Sequence, residues 1–372
     1  MMSDKKPVIV YGASGYTGRL VCEFLRQYNI PFIAAGRNAE KLEKIMQNVP
    51  GIETADYEVT AVEHSVEALT ELFSGASVVC NIVGPFETYG PTVVEAALNA
   101  NCHYIDTTGE PAFVKNIVEE FAAGFEAKGL VMAPCTAYMY TPAEICARIC
   151  LEEGDIDTLE VATAGNFVPT HASTQSIYSL FSHDAQYLMN NEFVSWPAGK
   201  GYEIQVPGYA VNQIVHPWGG GTLPTVFKND PRVRTCRQYS GTANREVMEG
   251  VIALQQDFEA NFRTLPEDEQ VVEMKKMVDA VPPFTPPREE TLVHRSCDFA
   301  VGTGSAGGKK VVMQSTSPYT QTGMIQAATA AKLLTSGTAK SGFATACEAV
   351  DYKYLLGQLK QFFPLKVTVT DI

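Results

Sequence analysis

The sequence predicts an α/β protein with an N-terminal doubly wound parallel sheet and a second α/β domain that contains a mixed sheet. Short apolar segments alternate with amphipathic helical segments over residues 7–135, which is the pattern of a parallel sheet with helices on both faces. Residues 78–83 are apolar except for Asn81, as expected of a strand buried on both faces. After residue 135 this alternation ends, so we expect a second domain there.

The expected elements follow from the spacing of apolar residues and from the Gly and Pro residues between them. In the first region, strands are predicted near 7–11, 30–35, 53–59, 77–83, 102–106 and 130–134, and helices near 17–28, 38–48, 65–74, 90–100 and 111–128. In the second region, helices are predicted near 142–153, 173–190 and 242–262, and strands near 158–164, 233–239, 291–301 and 309–316. The Ala-rich stretch 321–363 is predicted to be helical, which gives three segments, 1–135, 136–318 and 319–372.

Three glycines follow the first strand and open the first helix, with the spacing G-x-x-G-x-x-G. The first can turn sharply off the strand, the second lets a phosphate approach the backbone, and the third lets the helix pack closely. The unsatisfied N–H groups and the positive dipole of a helix N-terminus stabilise a diphosphate. The loop therefore predicts a Rossmann-type dinucleotide site, and an ordinary strand-to-helix turn is the alternative. The predicted loop ligands are Gly12, Ser14, Gly15, Tyr16, Thr17 and Gly18.

The end of the second strand distinguishes between the two nicotinamide cofactors. NAD sites usually have Asp or Glu there to bind the ribose 2′-hydroxyl, whereas this sequence has Arg37, followed by Asn38 and Lys41. A guanidinium group is suited to bind a 2′-phosphate. The sequence therefore predicts NADP(H) as cofactor, with a solvated loop arginine as the alternative.

Composition and charge limit the partners. A chain of 372 residues with 45% hydrophobic and 19% charged residues is long and apolar enough for two globular domains. The net charge of −14 argues against nucleic acid as a partner. No apolar run has the length of a membrane span, and residues 1–7 lack a signal-peptide core, so we expect a cytoplasmic protein with free thiols. The histidines and cysteines show no metal-ligand spacing, so no metal site is expected. A homodimer is expected because cytosolic dehydrogenases are often dimers.

The segments Asn81–Val94 and Cys102–Glu110, together with the glycine loop, resemble the saccharopine dehydrogenase-like reductases, a group that includes the trans-acting enoyl reductases. The resemblance is strong over residues 7–135 and weaker over 319–360. It implies a Rossmann domain, an inserted α/β substrate domain, and a C-terminal helical segment that packs back on the first domain. It also implies a nicotinamide cofactor, and the rule that ligands bind beyond the carboxyl ends of the strands supports the same groove. The residues expected to line this groove are Val83, Gly84, Pro85, Phe86, Tyr89, Gly90, Asp106 and Gly109. For Asp106 and the neighbouring Glu110, capping of the next helix is an equal alternative.

The loop after the sixth strand departs from the family pattern. Many relatives have Gly-Phe-Asp-Ser-x-Pro there, whereas this chain has Pro134–Pro142, so its substrate is expected to differ. Reduction often needs a proton donor, and the candidates are Tyr138, Tyr140 and His171, each of which can also be structural. None of the 16 tyrosines is followed four residues later by Lys, so the Tyr-x-x-x-Lys chemistry of short-chain dehydrogenases is absent.

The function expected from these features is NADP(H)-dependent reduction of a C=C, C=N or C=O bond in a small organic molecule, with C=C or C=N favoured. An apolar substrate is favoured because the second region is rich in aromatic residues, although any single ring can be ordinary core. Two alternatives remain: a non-catalytic NADP-binding sensor, and a saccharopine-type amino-acid dehydrogenase that binds carboxylates through Arg232, Arg234 or Arg237. The aromatic residues in question are Phe167, Tyr178, Phe181, Tyr187, Phe193, Trp196, Tyr202 and Tyr209.

Overall fold

The computed structural model of the chain describes residues 6–217, 223–336 and 338–372. The chain folds into two compact units. The first unit contains the described residues up to Thr108, together with Phe113–Thr141 and Tyr319–Phe362. The second contains Gly109–Ala112, the described part of Pro142–Pro318, and Phe363–Ile372.

The elements are numbered along the chain. The strands are β1 Val8–Tyr11, β2 Phe32–Gly36, β3 Tyr57–Ala61, β4 Val78–Asn81, β5 His103–Asp106, β6 Val131–Ala133, β7 Thr158–Gly165, β8 Gln186–Met189, β9 Glu192–Ser195, β10 Tyr202–Ile204, β11 Gln213–Pro217, β12 Thr235–Thr242, β13 Arg295–Gly304, β14 Gly307–Thr316, β15 Gly342–Phe343 and β16 Lys366–Asp371. The α-helices are α1 Tyr16–Gln27, α2 Ala39–Met46, α3 Val66–Phe73, α4 Phe86–Asn99, α5 Pro111–Ala127, α6 Thr141–Glu153, α7 His171–Ser179, α8 Leu223–Lys228, α9 Arg245–Asn261, α10 Glu267–Asp279, α11 Pro318–Ser336, α12 Ala346–Val350 and α13 Tyr352–Phe362.

The first unit is built on a parallel sheet in the order β15-β6-β5-β4-β1-β2-β3. All four residues of β4 are fully buried, which explains why this strand is apolar except for Asn81. The strand order reverses between β1 and β4, so the carboxyl ends of these two strands open a crevice where ligands bind in doubly wound sheets. The predicted doubly wound α/β fold is confirmed.

The helices near the C-terminus pack on α1 within the first unit. A Cβ atom at Gly323 would lie 2.6 Å from the Cβ of Leu20, so α11 and α1 approach as closely as a glycine permits. Further along, the Tyr28 hydroxyl donates to Gln358 Oε1 at 2.6 Å, and the rings of Phe24 and Phe362 meet edge to face. These contacts fix the helix that begins at the glycine loop.

The second unit contains a mixed sheet, as predicted. Its main path is β10-β11-β12-β7-β13-β14-β16, and β8 and β9 form a hairpin that pairs with β12. Only β12 and β7 pair in parallel; the other neighbours on the path are antiparallel.

Two secondary-structure predictions in this region are wrong. The helix predicted at 173–190 ends at Ser179, because the chain turns back through Asn190 and Asn191, both with positive φ, to form the β8–β9 hairpin. A two-residue turn of this kind matches the twist of the flanking strands, and Asn tolerates it. The C-terminal segment 319–372, expected to be helical, ends in a strand, because the β-branched run of β16 pairs with β14.

Among the described residues, no helix combines the length and apolar character needed to cross a bilayer.

Candidate functional site

The loops after β1 and β4 meet where the strand order reverses. Gly12 has a φ of +93°, and its N–H donates to the Ala35 carbonyl oxygen at 2.9 Å. A Cβ atom at Gly12 would lie 2.9 Å from Val83 Cγ2 and 3.1 Å from the Ile82 carbonyl carbon. Both the backbone conformation and the contact with the β4 loop therefore require glycine at this position.

The N-terminus of α1 is built to receive an anion. Gly15 is its N-cap, and neither a side-chain cap nor an acidic residue occupies the first turn. A Cβ atom at Gly18 would overlap the Gly12 carbonyl oxygen, so this glycine lets the helix lie directly against the loop. N–H groups at a helix N-terminus, with the positive end of the helix dipole, bind phosphate. The half-buried hydroxyls of Ser14 and Thr17 lie on the same loop and first turn, so these residues fit a pyrophosphate group.

The residues after β2 divide into two roles. Asn38 caps α2, because its Oδ1 accepts from the Lys41 backbone N–H at 2.8 Å. Arg37 and Lys41 have exposed side chains, and neither forms an ion pair within the described part of the chain. Two cations at the end of β2 that pair with no carboxylate of the described residues fit the 2′-phosphate of NADP(H). Asn38 supports this segment through the helix cap.

The loops after β4, β5 and β6 are held together by a buried hydrogen-bond network centred on Asp106. Its Oδ1 accepts from the backbone N–H groups of Thr108 and Cys135, both at 2.9 Å, and its Oδ2 accepts from the Tyr104 hydroxyl at 2.7 Å. Asn81 Nδ2 donates to the same hydroxyl at 3.1 Å, and Asn81 Oδ1 accepts from the Val83 N–H at 3.1 Å. Burial raises the pKa of the Tyr104 phenol well above its usual value, so it remains a donor. Asp106, which is fully buried, thus fixes these loops. The sequence had offered cofactor binding and capping of the next helix as equal alternatives for it, and its contact with the cofactor stays a prediction.

Phe86 and Gly90 also have packing roles where cofactor contact was predicted. Phe86 is 6% exposed and lies in the core of the first unit, with its ring 5.9 Å from that of Phe113. A Cβ atom at Gly90 would overlap the same Phe113 ring. The other predicted residues of this segment, Val83, Gly84, Pro85 and Tyr89, are half-buried at the carboxyl edge of the sheet. A cis peptide bond joins Gly84 to Pro85.

The predicted proton donors lie in different surroundings. Tyr138 and Tyr140 are each 2% exposed and belong to the loop after β6, where the Tyr138 N–H donates to Thr322 Oγ1 at 3.1 Å. His171 begins α7 in the second unit, and its Nε2 lies 3.0 Å from the Val281 carbonyl oxygen. Gly109, which was predicted to line the cofactor groove, belongs to the second unit as well.

One residue outside the predicted set, His64, lies at the same edge of the first sheet. His64 follows β3, and its Nδ1 is 2.9 Å from the Tyr11 hydroxyl. This contact could not be predicted from the sequence, because His64 is 53 residues from Tyr11. The only indication in the sequence was the position of His64 a few residues after a predicted strand. No three His, Cys, Asp or Glu side chains of the described residues converge on a possible metal position.

Comparison with known proteins agrees with this architecture. Residues 8–132 match the family model described as saccharopine dehydrogenase NADP binding domain, and residues 141–370 match a family of unknown function, DUF5938. The yeast saccharopine dehydrogenase (L-Glu forming) has the same fold, with a TM-score of 0.57 over 99% of this chain and 100% of that chain, at 14% identity.

Several curated relatives match only part of the chain. A lipid droplet localized protein from Caenorhabditis elegans is 30% identical over 41% of this chain and 38% of its own length. The human saccharopine dehydrogenase-like oxidoreductase is 29% identical over 39% of this chain and 38% of its own length. The trans-acting enoyl reductase of Mycobacterium leprae is 31% identical over 32% of this chain and 29% of its own length.

The matched regions thus span less than two fifths of these relatives. The curated relatives also include a probable mitochondrial saccharopine dehydrogenase-like oxidoreductase from Arabidopsis thaliana, so the cytoplasmic location stays a prediction. The homodimer also stays a prediction. The resemblance to the saccharopine dehydrogenase-like group and the NADP(H) cofactor are confirmed by the match over the first domain. This chain belongs to the DUF5938 family and carries a saccharopine dehydrogenase-type NADP-binding domain at its N-terminus.

Proposed function

We propose that this protein is an NADP(H)-dependent oxidoreductase that reduces an activated C=C or a C=N bond of a small, largely apolar organic substrate. The observation that carries the proposal is the glycine-built, uncapped N-terminus of α1 at the reversal of strand order, beside the cationic end of β2. Such a site binds a dinucleotide redox cofactor, and the cofactor implies hydride transfer.

The chain's own residues bind and orient the cofactor. The Gly12–Gly18 loop receives the pyrophosphate, Arg37 and Lys41 receive the 2′-phosphate, and the Val83–Pro85 loop borders the groove. NADPH, when bound, supplies a hydride from its nicotinamide ring. The Asp106 network contributes by fixing the loops after β4 and β6, since positioning of reacting groups accounts for a large share of catalysis.

The arginines of the second unit argue against an amino-acid dehydrogenase. That activity needs cations available to bind substrate carboxylates. Arg232 is already paired with Asp230 at 2.7 Å, and Arg237 with Glu160 at 2.5 Å. Two of the three candidate guanidinium groups are therefore neutralised by the protein itself, which favours a substrate without several carboxylates.

The aromatic residues give the apolar substrate less support than their number suggested. Tyr178 and Phe181 stack in a core cluster around Phe258, and Trp196 packs with Tyr187 and other rings in a separate group. Packing accounts for these side chains. The neutralised arginines support a substrate without several carboxylates. The preference for C=C reduction is supported by the relative named trans-acting enoyl reductase.

Tyr138 and Tyr140 are our proposed proton donors. They lie in the loop that follows β6, at the carboxyl edge of the cofactor-binding sheet, and this loop is anchored to Asp106 through the Cys135 and Thr136 N–H groups. Their burial is compatible with the water-free surroundings that hydride transfer requires. His171 is a weaker candidate because Val281 already engages its Nε2.

The experiment is to follow NADPH absorbance with purified protein, offering an enone series and a cyclic-imine series. Substrate-dependent oxidation of NADPH supports an enzyme and the better series identifies the bond, whereas binding without turnover favours the sensor. Tyr138→Phe and Tyr140→Phe test the donors: one of them should reduce turnover while the Kd for NADPH stays unchanged. Tyr57→Phe is the matched control, because Tyr57 lies in β3 and stacks on Phe32. Full activity in both loop variants would remove these tyrosines from the mechanism.

A further inference from the structure

His64 is held in a defined orientation at the carboxyl edge of the first sheet. Its ring lies nearly parallel to the Tyr11 ring, with 6.1 Å between centroids and 11° between planes. Tyr89 of α4 packs edge-on against it at 5.2 Å. With the 2.9 Å hydrogen bond between the Tyr11 hydroxyl and Nδ1, the imidazole is fixed from two sides.

The backbone register places His64 next to the end of β2. Gly36 of β2 pairs with Ala61 of β3, and the Val62 N–H donates to the Gly36 carbonyl oxygen at 2.9 Å. Arg37 follows Gly36 directly, so Arg37 and His64 leave the sheet at the same edge and from neighbouring strands. The positive charge of Arg37 acts on both partners: it adds to the effect of burial, which lowers the pKa of His64, and it opposes the effect of burial, which raises the pKa of Tyr11.

The second ring nitrogen of His64, Nε2, lacks a hydrogen-bond partner among the described residues. Nε2 is buried and makes no hydrogen bond to any of them. If the Tyr11 hydroxyl donates to Nδ1, the proton of the neutral ring lies on Nε2, which is then a donor. Burial, followed by the Arg37 charge, lowers the pKa of His64, so the neutral ring is the form present at neutral pH. A buried donor without an acceptor is costly, and such groups in native proteins call for an explanation.

We propose that His64 donates a hydrogen bond from Nε2 to the adenosine 2′-phosphate of NADP(H), beside Arg37, and that Tyr11 is the positioning residue that fixes the tautomer. The inference rests on the NADP(H) site of the proposed function and adds a residue to its cofactor selectivity. Arg37 supplies charge from an exposed side chain, whereas His64 supplies a directed donor from a half-buried one. Together they account for selection of the phosphate over a hydroxyl.

The test uses ligands that contain only the adenosine end of the cofactor, so it is independent of turnover. Calorimetry compares 2′,5′-ADP with 5′-AMP on the wild type, His64→Phe and Tyr11→Phe. His64→Phe keeps an aromatic ring between Tyr11 and Tyr89 but removes the donor. We expect it to weaken 2′,5′-ADP binding by about tenfold or more, the usual effect of losing a hydrogen bond to a charged group. Binding of 5′-AMP should stay within about threefold, because that ligand has no 2′-phosphate. Tyr11→Phe should give a smaller loss in the same direction.

Two further variants and one further ligand complete the test. Arg37→Ala is the positive control and must also reduce the preference for 2′,5′-ADP. His64→Gln restores an N–H donor, so it should bind 2′,5′-ADP more tightly than His64→Phe, and it serves if the phenylalanine variant does not fold. Inorganic phosphate at the same concentration should give no measurable heat.

The outcomes separate this inference from the function it rests on. An equal loss of both ligands in His64→Phe would assign His64 to the adenine ring or to packing, and would overturn the proposal. A loss in Arg37→Ala with none in either His64 variant would overturn it while leaving the NADP(H) site intact. No preference for 2′,5′-ADP in the wild type would overturn the phosphate site as a whole.

Discussion

Replacing Tyr104 with Phe tests whether the buried network holds the site. The substitution removes one hydroxyl from a fully buried position and leaves the ring in place. The hydroxyl donates to the Asp106 carboxylate at 2.7 Å and accepts from Asn81 Nδ2 at 3.1 Å. A hydrogen bond to a charged group contributes about 1.5–3 kcal/mol and a neutral one about 1 kcal/mol, so we expect the free energy of unfolding to fall by about 3 kcal/mol.

The assay is urea-induced unfolding followed by far-UV circular dichroism, with Tyr57→Phe as the matched control. Tyr57 is half-buried in β3 and stacks on Phe32, and its substitution should change the free energy of unfolding by less than about 0.5 kcal/mol. The Kd for NADPH should also rise in Tyr104→Phe, because Asn81 and Asp106 anchor the neighbouring loops. A Tyr104→Phe protein as stable as the control would refute the view that this network is energetically important.

Three further predictions concern the loop, the cofactor and pH. Gly18→Ala should lower the free energy of unfolding by about 2 kcal/mol, because the added Cβ overlaps the carbonyl oxygen of Gly12. Gly15→Ala, at an ordinary φ of −71°, should mainly raise the Kd for NADPH. Equal stability of the two variants in urea would contradict this expectation. Arg37→Ala should lower the ratio of NADPH to NADH affinity by about tenfold or more in fluorescence titrations, and an unchanged ratio would exclude Arg37 from the site. Burial lowers the pKa of His103 and His216 below 6.5, so the unfolded chain binds more protons than the folded one between about pH 7 and pH 5. The free energy of unfolding should therefore fall as the pH drops over this range, and His103→Gln should make the fall smaller. A free energy of unfolding that stays constant or increases as the pH drops would contradict this expectation.

The parallel sheet and the glycine loop could be predicted because their signals are local. A buried parallel strand such as β4 has no polar face, and three glycines spaced in this way between a strand and a helix are typical of a dinucleotide-binding loop. Arg37 was identifiable for the same reason, since it follows a strand whose end has a known role.

The features that were missed depend on contacts between distant segments. Asn81, Tyr104 and Asp106 lie on neighbouring strands, and only the register shows that they form one network. His64 is 53 residues from Tyr11, and nothing in its neighbourhood in the sequence indicates that contact. The Asn190–Asn191 pair is a local indication of a hairpin turn, but the helical spacing of the preceding residues led to the prediction of a helix over 173–190.

The NADP(H) site is tested most directly by titrating the wild-type protein with NADPH and NADH and measuring its thermal stabilisation. Stabilisation grows as RT ln(1 + [L]/Kd), so the tighter ligand gives the larger shift at equal concentration. We expect a clear shift with NADPH and a smaller one with NADH. Equal shifts would contradict the role of the cationic end of β2, and no shift with either would contradict the dinucleotide site itself.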